Sequence, residues 1–246
     1  MKLQYVASCW RYDRLLTLSL SQFVLHPPRD HTITVTVCYC RAADALTADV
    51  LDFFAANYSP ANVVWDWRDY EQRRLMRRAI SRNEVCQSTD ADFVLLADID
   101  YMPGTPTCLD STADAMIAAT DGGGRPWLMH PQFVMSSRSH STGNAEIDRV
   151  KSPKIYELAT AYDRTSLARA IGGTQWITGD MAREFGYLPH SKRFQKPAAV
   201  WKRTYCDCQY RKHLASNGIF QKPLAVEGWY RIRHEKRGRF NIGVRL

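Results

Sequence analysis

The sequence predicts an α/β fold: a single domain with a mainly parallel sheet flanked by helices. The first observation is a regular alternation of strand-like and helix-like segments over residues 1–104. Such an alternation builds parallel sheets, because each helix returns the chain to the same edge of the sheet. The second is size, since 246 residues that are 45% hydrophobic can bury one sizeable core. The third is an apolar strand that ends in two aspartates.

The first part of the chain supplies four strand-like segments. The β-branched run over residues 32–39 is the clearest strand. Further strands are predicted over 3–10, 63–67 and 92–100. Apolar residues at helical spacing predict helices over 16–24, 46–54 and 71–83. The last of these carries a cationic face opposite its apolar stripe, which is either a solvated surface or a contact for a phosphate backbone.

The second part of the chain is less regular. A helix is predicted over residues 110–119, followed by a strand over 127–135 that is interrupted at Pro131 and is therefore an edge or bulged strand. Residues 136–153 are polar and lack an apolar period, so they are a candidate mobile loop or lid. Residues 171–180 are glycine-rich without the spacing of a phosphate-binding loop.

Charge and cysteine usage limit the classes of partner and compartment. The chain has 33 Lys+Arg against 25 Asp+Glu, a net charge of +8, which favours anionic partners such as nucleotides, nucleic acid or acidic membrane surfaces. No apolar segment reaches the roughly 20 residues of a membrane span, and the N-terminus lacks a signal-peptide layout, so we expect a cytoplasmic protein. Seven cysteines without a C-x-x-C pair favour reduced thiols over a disulfide framework or a zinc site.

Two aspartates end the fourth predicted strand. Asp98 and Asp100 are two residues apart, so their side chains would face the same side of the strand. Ligands bind at the carboxyl ends of strands in open α/β sheets. Carboxylate oxygens suit Mg²⁺ or Mn²⁺, which keeps other positions for water and substrate phosphates. The alternative is a pair of turn aspartates without a ligand.

Taken together, these features resemble the Rossmann-like GT-A glycosyltransferases, in particular the family 2 group and its relatives. Arg82-Asn83 stands where that family has an arginine-asparagine pair before the D-x-D strand. Residues 172–180 resemble its glycine-bearing segment before a helix. Residues 206–218 resemble its E-D-x-D-L-x-x-R-L-x-x-x-G helix. Asp207 keeps the second acidic position there, but the first is Cys206 and the third is Gln209.

The resemblance implies transfer of a sugar from a nucleotide-diphosphate sugar, with a UDP-sugar favoured, in an inverting reaction. A divalent ion, Mn²⁺ or Mg²⁺, held by Asp98, Asp100 and His234 would neutralise the departing diphosphate. Asp98 would contact either the ribose or the ion. Residues 1–104 would form the nucleotide-sugar-binding half and residues 105–246 the acceptor-side half.

Four further residues receive roles from the same resemblance. Arg11 and Arg82 would share the charge of the diphosphate. Asp66 would receive the nucleobase or ribose, or else cap a turn. Asp207 would be the general base that takes the proton of the acceptor, or else the N-cap of its helix.

The acceptor is predicted from charge and size. The compact basic chain resembles the bacteriophage TET-associated glycosyltransferases, which add sugars to 5-hydroxymethylcytosine in DNA. This implies a DNA partner with modified bases, whose phosphates would lie along residues 73–78 and 192–239. The modified base would have to leave the stack to reach Asp207.

Three alternatives stay open beside this interpretation. The acceptor would be a saccharide, lipid or protein in the first. The second is a non-catalytic nucleic-acid-binding module with a decayed transferase fold, which the missing acids at Cys206 and Gln209 favour. The third, a nucleotidyltransferase, is disfavoured because residues 8–11 lack its glycine-rich basic loop.

Overall fold

Two β-sheets and the helices packed on them form the computed structural model, which describes residues 1–120, 126–137, 162–200 and 205–232. The strands are β1 (Lys2–Ser8), β2 (Thr32–Tyr39), β3 (Val63–Asp69), β4 (Phe93–Leu96), β5 (Tyr101–Pro103), β6 (Trp127–Pro131), β7 (Phe133–Ser137), β8 (Tyr162–Ser166), β9 (Gln175–Thr178), β10 (Phe220–Leu224) and β11 (Trp229–Arg231). The helices are α1 (Asp13–Leu25), α2 (Ala45–Asn57), α3 (Gln72–Leu75), α4 (Arg78–Ser88), α5 (Cys108–Thr120), α6 (Gly179–Phe185), α7 (Lys192–Gln195) and α8 (Cys206–Ser216).

The larger sheet has seven strands in the order β10-β6-β9-β4-β1-β2-β3. β1 pairs in parallel with β2 and with β4, and β2 pairs in parallel with β3. β9 runs antiparallel to both of its neighbours, β4 and β6. The predicted α/β architecture with a mainly parallel, helix-flanked sheet is therefore confirmed. The carboxyl ends of β1, β2 and β4 meet at one edge, which is the edge that carries the site described below.

Both faces of this sheet are covered by helices because its central strands are apolar on both sides. Leu3 and Tyr5 of β1 pack into a core with α1, α2 and α5. Val6 of the same strand faces a second core, which includes residues of α3, α4, α6, α7 and α8. Side chains alternate across a strand, so a central strand buried on both faces reads as a continuous apolar run.

The smaller sheet, in the order β5-β11-β7-β8, was not predicted. Residues 127–135 do not form one interrupted strand. They form β6 in the large sheet and β7 in the small one, with Gln132 between them. β6 lies between β10 and β9, so the prediction of an edge strand was wrong. The chain changes sheets directly after Pro131, which has no N–H to continue a ladder.

The predicted helix over residues 71–83 is two helices, α3 and α4. The chain leaves the helical region at Arg77, where φ is −116° and ψ is 76°. Leu75 and Met76 are buried at this break, and the Arg77 Nε donates a hydrogen bond to the carbonyl of Lys196. The break reorients the arginines that follow it. Arg78, which the sequence placed on the cationic face, follows the break directly, and its side chain is only 13% exposed.

All seven cysteines are free thiols, and six of them are buried. Among the helices in the described ranges, none combines the length and the apolar character that a membrane crossing needs.

Candidate active site

The two aspartates of the D-x-D sequence lie in the turn between β4 and β5. The Tyr101 amide donates to the carbonyl of Asp98 at 2.9 Å and closes the turn. Both carboxylates are largely buried, with side-chain exposures of 17% for Asp98 and 11% for Asp100. The turn follows the carboxyl end of a central parallel strand, which is where the sequence predicts a ligand site.

Three arginines surround these two carboxylates. Arg78 Nη1 donates to Asp98 Oδ1, and Arg82 Nη2 lies 3.4 Å from the same oxygen. Arg231 Nε, on β11, lies 3.8 Å from Asp100 Oδ2. Burial opposes a charge on Arg78, but the Asp98 carboxylate together with Cys206 and Tyr187 outweighs it, so the pKa of Arg78 lies well above its usual range. The turn is therefore rich in positive charge, which suits an anionic ligand.

Arg82 has a fully buried side chain with several fixed partners. Its Nη2 donates to the carbonyls of Ala97 at 2.7 Å and Gly172 at 2.9 Å, and its guanidinium lies 5.4 Å from the centre of the Tyr187 ring. These contacts tie the end of β4 to the loop before β9. Arg82 is thus fully buried and bonded to the main chain on either side of Asp98, so it orients Asp98, and its contact with a diphosphate stays a prediction.

Gly172 marks the point where the parts of the site meet. A Cβ atom at this glycine would lie 3.2 Å from Arg78 Nη2, 3.5 Å from Asp98 Oδ2 and 3.6 Å from Asp207 Cβ. Two of the predicted site residues, Asp98 and Asp207, are therefore close together, although 109 positions separate them in the sequence (207 − 98). A methyl group at this position would already be in contact with all three groups, so glycine permits their close approach.

Asp207 is the second residue of α8 and not its N-cap. The N-cap is Tyr205, which has φ 53°, so the alternative role of Asp207 as N-cap was wrong. Gln175 Nε2 donates to the carbonyl of Asp207 at 3.0 Å and links the start of α8 to β9. Arg211 Nη1 lies 3.8 Å from Asp207 Oδ2, and the carboxylate side chain is 23% exposed. The carboxylate is thus fixed in place yet accessible.

Arg78 is a site residue that the sequence reasoning missed. Arg78 and Arg82 are four residues apart, so one helix face carries both. This spacing was a usable sign that Arg78 accompanies the arginine-asparagine pair. Asn83 has a supporting role, because its Oδ1 accepts the amide of Tyr187 at 2.9 Å and so fixes the ring beneath Arg82.

Arg11 lies in the loop after β1. It has φ 59°, its amide donates to Asp44 Oδ2 at 2.5 Å, and its guanidinium lies 5.2 Å from the Trp10 ring centre. The loop is at the same edge of the sheet as the D-x-D turn. No described hydrogen bond or ion pair joins Arg11 to Asp98 or Asp100.

Asp66 lies in the middle of β3 and not at its end, because β3 continues to Asp69. Its Oδ2 accepts from Thr36 Oγ1 at 2.9 Å and from Arg68 Nε at 2.8 Å. β3 is the outermost strand of the sheet, two strands away from β1. The structure therefore does not bring Asp66 to the D-x-D turn.

His234, the predicted third metal ligand, lies outside the described residues. The described chain reaches Ile232, whose amide donates to the carbonyl of Asp100 at 2.9 Å. Among the described residues, no group of three or more His, Cys, Asp and Glu side chains is arranged to hold a metal ion. Asp98 and Asp100 supply two hard oxygen donors, and Gly172 leaves space beside Asp98 Oδ2. This donor set fits Mg²⁺ or Mn²⁺ that completes its shell with phosphate and water.

Comparison with solved structures places this site in a known fold. Over 96% of its length the chain resembles the mannosyltransferase PcManGT from Pyrobaculum calidifontis, solved in complex with GDP-Man and Mn²⁺, with a TM-score of 0.53 and 15% identity. It also resembles residues 1–349 of S. aureus TarS in complex with UDP-GlcNAc, with a TM-score of 0.54, 12% identity and 96% of the chain covered. The fold is the GT-A glycosyltransferase fold.

The GT-A fold described here spans 58% of the PcManGT chain and 59% of the TarS chain. Neither the comparison with protein-family models nor the one with curated protein sequences gives a match. In the GT-A fold of this chain, the D-x-D turn, Gly172 and the start of α8 form one site.

Proposed function

We propose that this protein transfers a sugar from a nucleotide-diphosphate sugar to an acceptor hydroxyl, with the help of a divalent ion. The observation that carries this proposal is the convergence at Gly172 of Asp98, Arg78 and Asp207, at the carboxyl edge of a GT-A sheet. Three groups then lie close together. One carboxylate suits a cation, the guanidinium suits a phosphate, and the second carboxylate can take the proton of the acceptor. These are the groups that sugar transfer from a diphosphate requires.

On the donor side, Asp98 and Asp100 hold the ion, with His234 as the predicted third ligand. With Mn²⁺ or Mg²⁺ held there, these residues would supply Lewis-acid neutralisation of the charge on the departing diphosphate. Arg78 and Arg231 lie beside the two carboxylates and bind phosphate oxygens, since a guanidinium offers paired donors that match them. Arg82 keeps Asp98 in position.

Two further donor contacts stay predictions. Arg11 lies at the right edge of the sheet for the diphosphate. Asp66 is held in mid-strand by Thr36 and Arg68, so contact with a nucleobase or ribose would require these hydrogen bonds to open. A UDP-sugar remains the predicted donor.

On the acceptor side, Asp207 takes the proton from the attacking hydroxyl as a general base. Its Cβ and Asp98 Oδ2 both lie within 3.6 Å of one point, the position that a Cβ atom on residue 172 would take. The two aspartates are therefore close enough together to act on one donor and its acceptor. A general base on the attacking hydroxyl is the arrangement expected for an inverting reaction.

We further propose that the acceptor is 5-hydroxymethylated cytosine in DNA, because basic residues from two distant segments form one basic face. This basic face consists of Arg73, Arg77, Lys192, Arg193 and Lys196. The Ala198 amide donates to the carbonyl of Arg73 at 2.8 Å, and Arg77 Nε donates to the carbonyl of Lys196 at 3.1 Å. Two basic runs that are distant in the sequence therefore share one surface, which suits a DNA backbone.

The test is incubation of hydroxymethylated and unmodified DNA with Mn²⁺ and a panel of nucleotide sugars, followed by mass analysis of the nucleosides. We expect a mass increase on the modified nucleoside alone. Asp207→Asn should reduce the rate at least about 100-fold, since general-base catalysis contributes about that much. Asp100→Asn should reduce it as well, because it removes a predicted ligand of the ion. Asp180→Asn is the matched control, because Asp180 is 92% exposed on α6 and pairs with Arg183.

Full activity of Asp100→Asn would show that this carboxylate holds no ion. Transfer to a saccharide, lipid or protein and not to DNA would replace the proposed acceptor while keeping the chemistry. Salt-sensitive binding of duplex DNA without transfer from any nucleotide sugar would favour a binding module instead.

A further inference from the structure

Cys206 is the residue where this chain departs from the E-D pair of the resembled helix motif. It is the first residue of α8 and is buried, with 3% exposure. Its Sγ lies 3.7 Å from Arg78 Nη2 and 3.8 Å from the Tyr187 hydroxyl. A thiol therefore occupies the place where an acidic side chain would contact Arg78.

The two ends of the Arg78 guanidinium have different partners. Nη1 is paired with the Asp98 carboxylate, whereas Nη2 faces the Cys206 thiol and the open space at Gly172. A Cβ at Gly172 would lie 3.2 Å from Nη2, so this is the end that borders the space proposed for the donor.

We propose that Cys206 sets the strength of donor binding by leaving Arg78 with a single carboxylate partner among the described residues. A guanidinium and two carboxylates together have a net negative charge, which repels a phosphate group. A guanidinium between one carboxylate and a thiol keeps its second end available for a charge-assisted hydrogen bond. Cys206 acts through Arg78 and is therefore a positioning residue. The inference rests on the proposed binding of a nucleoside diphosphate in this site.

Other charged groups near Arg78 do not replace this effect. Arg82 Nη2 is committed to the carbonyls of Ala97 and Gly172. The Asp207 carboxylate lies nearest to Arg211, at 3.8 Å. The Tyr187 hydroxyl bonds with Gln175 Oε1 at 3.3 Å. A negative charge introduced at residue 206 would thus have Arg78 as its first partner.

The experiment compares Cys206→Asp with Cys206→Asn, which are similar in volume and differ in charge. Binding of UDP and of GDP, each with Mn²⁺, is measured by titration calorimetry. We expect Cys206→Asp to weaken binding about tenfold, which corresponds to about 1.4 kcal/mol. Cys206→Asn should stay within about threefold of the wild type, which is less than about 1 kcal/mol, because the amide brings no charge to Arg78. In an Arg78→Met background, Cys206→Asp should cause no further loss, since coupled residues are not additive.

Several results would overturn the inference. Equal binding by Cys206→Asp and the wild type would do so, as would equal losses in Cys206→Asp and Cys206→Asn. If neither UDP nor GDP binds to the wild type, the proposed function fails together with this inference. If the nucleotides bind with an affinity that does not depend on the charge at residue 206, only this inference fails. Thermal unfolding checks the fold of each variant. If Cys206→Asp does not fold, Arg78→Lys is tested instead. The lysine ammonium that pairs with Asp98 has no second group of donors for a phosphate, so unchanged affinity in that variant would contradict the inference.

Discussion

The two adjacent glycines before β9 give a sharp test of the site, because a methyl group should have opposite effects at the two positions. Neither glycine has a left-handed backbone, so alanine is allowed by the main chain at both. At Gly172 the new Cβ would meet Arg78 Nη2 at 3.2 Å and Asp98 Oδ2 at 3.5 Å. Only the first distance is tight, and it involves the end of a flexible side chain. Arg78 therefore needs to move by a few tenths of an ångström.

We expect Gly172→Ala to keep its stability and to lose donor affinity. Restricting the unfolded chain stabilises such a variant by about 0.4–1 kcal/mol, which offsets the small strain. The methyl group occupies the space between Asp98 and Asp207, so the diphosphate and sugar are displaced. A misplacement of about 1 Å costs about 10²-fold in reaction rate, so sugar transfer should fall together with the affinity. Calorimetry with UDP and GDP in the presence of Mn²⁺ measures the affinity, and urea unfolding measures the stability.

Gly173→Ala is the matched control. Its Cβ would lie 2.2 Å from Cδ2 of the Tyr101 ring, which is buried and cannot move aside. Overpacking of this kind costs about 1–3 kcal/mol, so this variant should lose stability. If Gly172→Ala binds the nucleotides like the wild type, or loses as much stability as Gly173→Ala, then the space at Gly172 is not the donor site.

Three further predictions concern a buried charge, a buried thiol and the basic face. Arg82→Met should destabilise the fold by about 3–5 kcal/mol in urea unfolding, because it leaves buried carbonyls without their donor and takes one guanidinium from Asp98; a loss below about 1 kcal/mol would contradict this. Burial raises the pKa of the Cys86 thiol to about 12, against roughly 8.5 in an unfolded chain, so its stabilising contribution is complete below about pH 8.5 and is lost as the pH rises towards 12. As the pH rises from about 7.5 to 9.5, the free energy of unfolding of the wild type should therefore fall by about 1.4 kcal/mol more than that of Cys86→Ala. Equal decreases would show that the thiol ionises as freely in the folded protein as in the unfolded chain. The double variant Arg193→Ala with Lys196→Ala should lower the salt slope of DNA binding by about 1.8, measured by fluorescence anisotropy over a salt series, and an unchanged slope would remove this face from the DNA contact.

The parallel part of the fold follows from local patterns, whereas the small sheet does not. β1 to β4 are apolar or β-branched runs separated by helical periodicity, so each strand is visible by itself. β5 and β11 have three residues each and pair Tyr101 with Arg231, which are far apart in the sequence. Such short segments are defined by their partners and carry no periodicity of their own.

The sequence predicts the site residues that belong to a motif. It does not predict those whose position depends on the backbone geometry. Asp98 follows from its place at the end of a strand and Asp207 from the resemblance to the family's helix motif, and the structure brings both to Gly172. The sequence pattern puts Arg78 on a solvated helix face, because the break at Arg77 has no glycine or proline to mark it. It puts Asp66 at a strand end, because β3 extends two residues beyond the apolar run, through Arg68 and Asp69.

The contacts that build the site also determine when it can form during folding. Arg78 and Cys206 are 128 positions apart, and Arg82 and Gly172 are 90 apart. Contacts between residues so distant pay a large loop-closure entropy and tend to form late. We therefore expect the pairing of β1, β2 and β3, whose partners are 30 positions apart, to form before the site exists. Substitutions around Arg82 would then accelerate unfolding and leave the folding rate nearly unchanged.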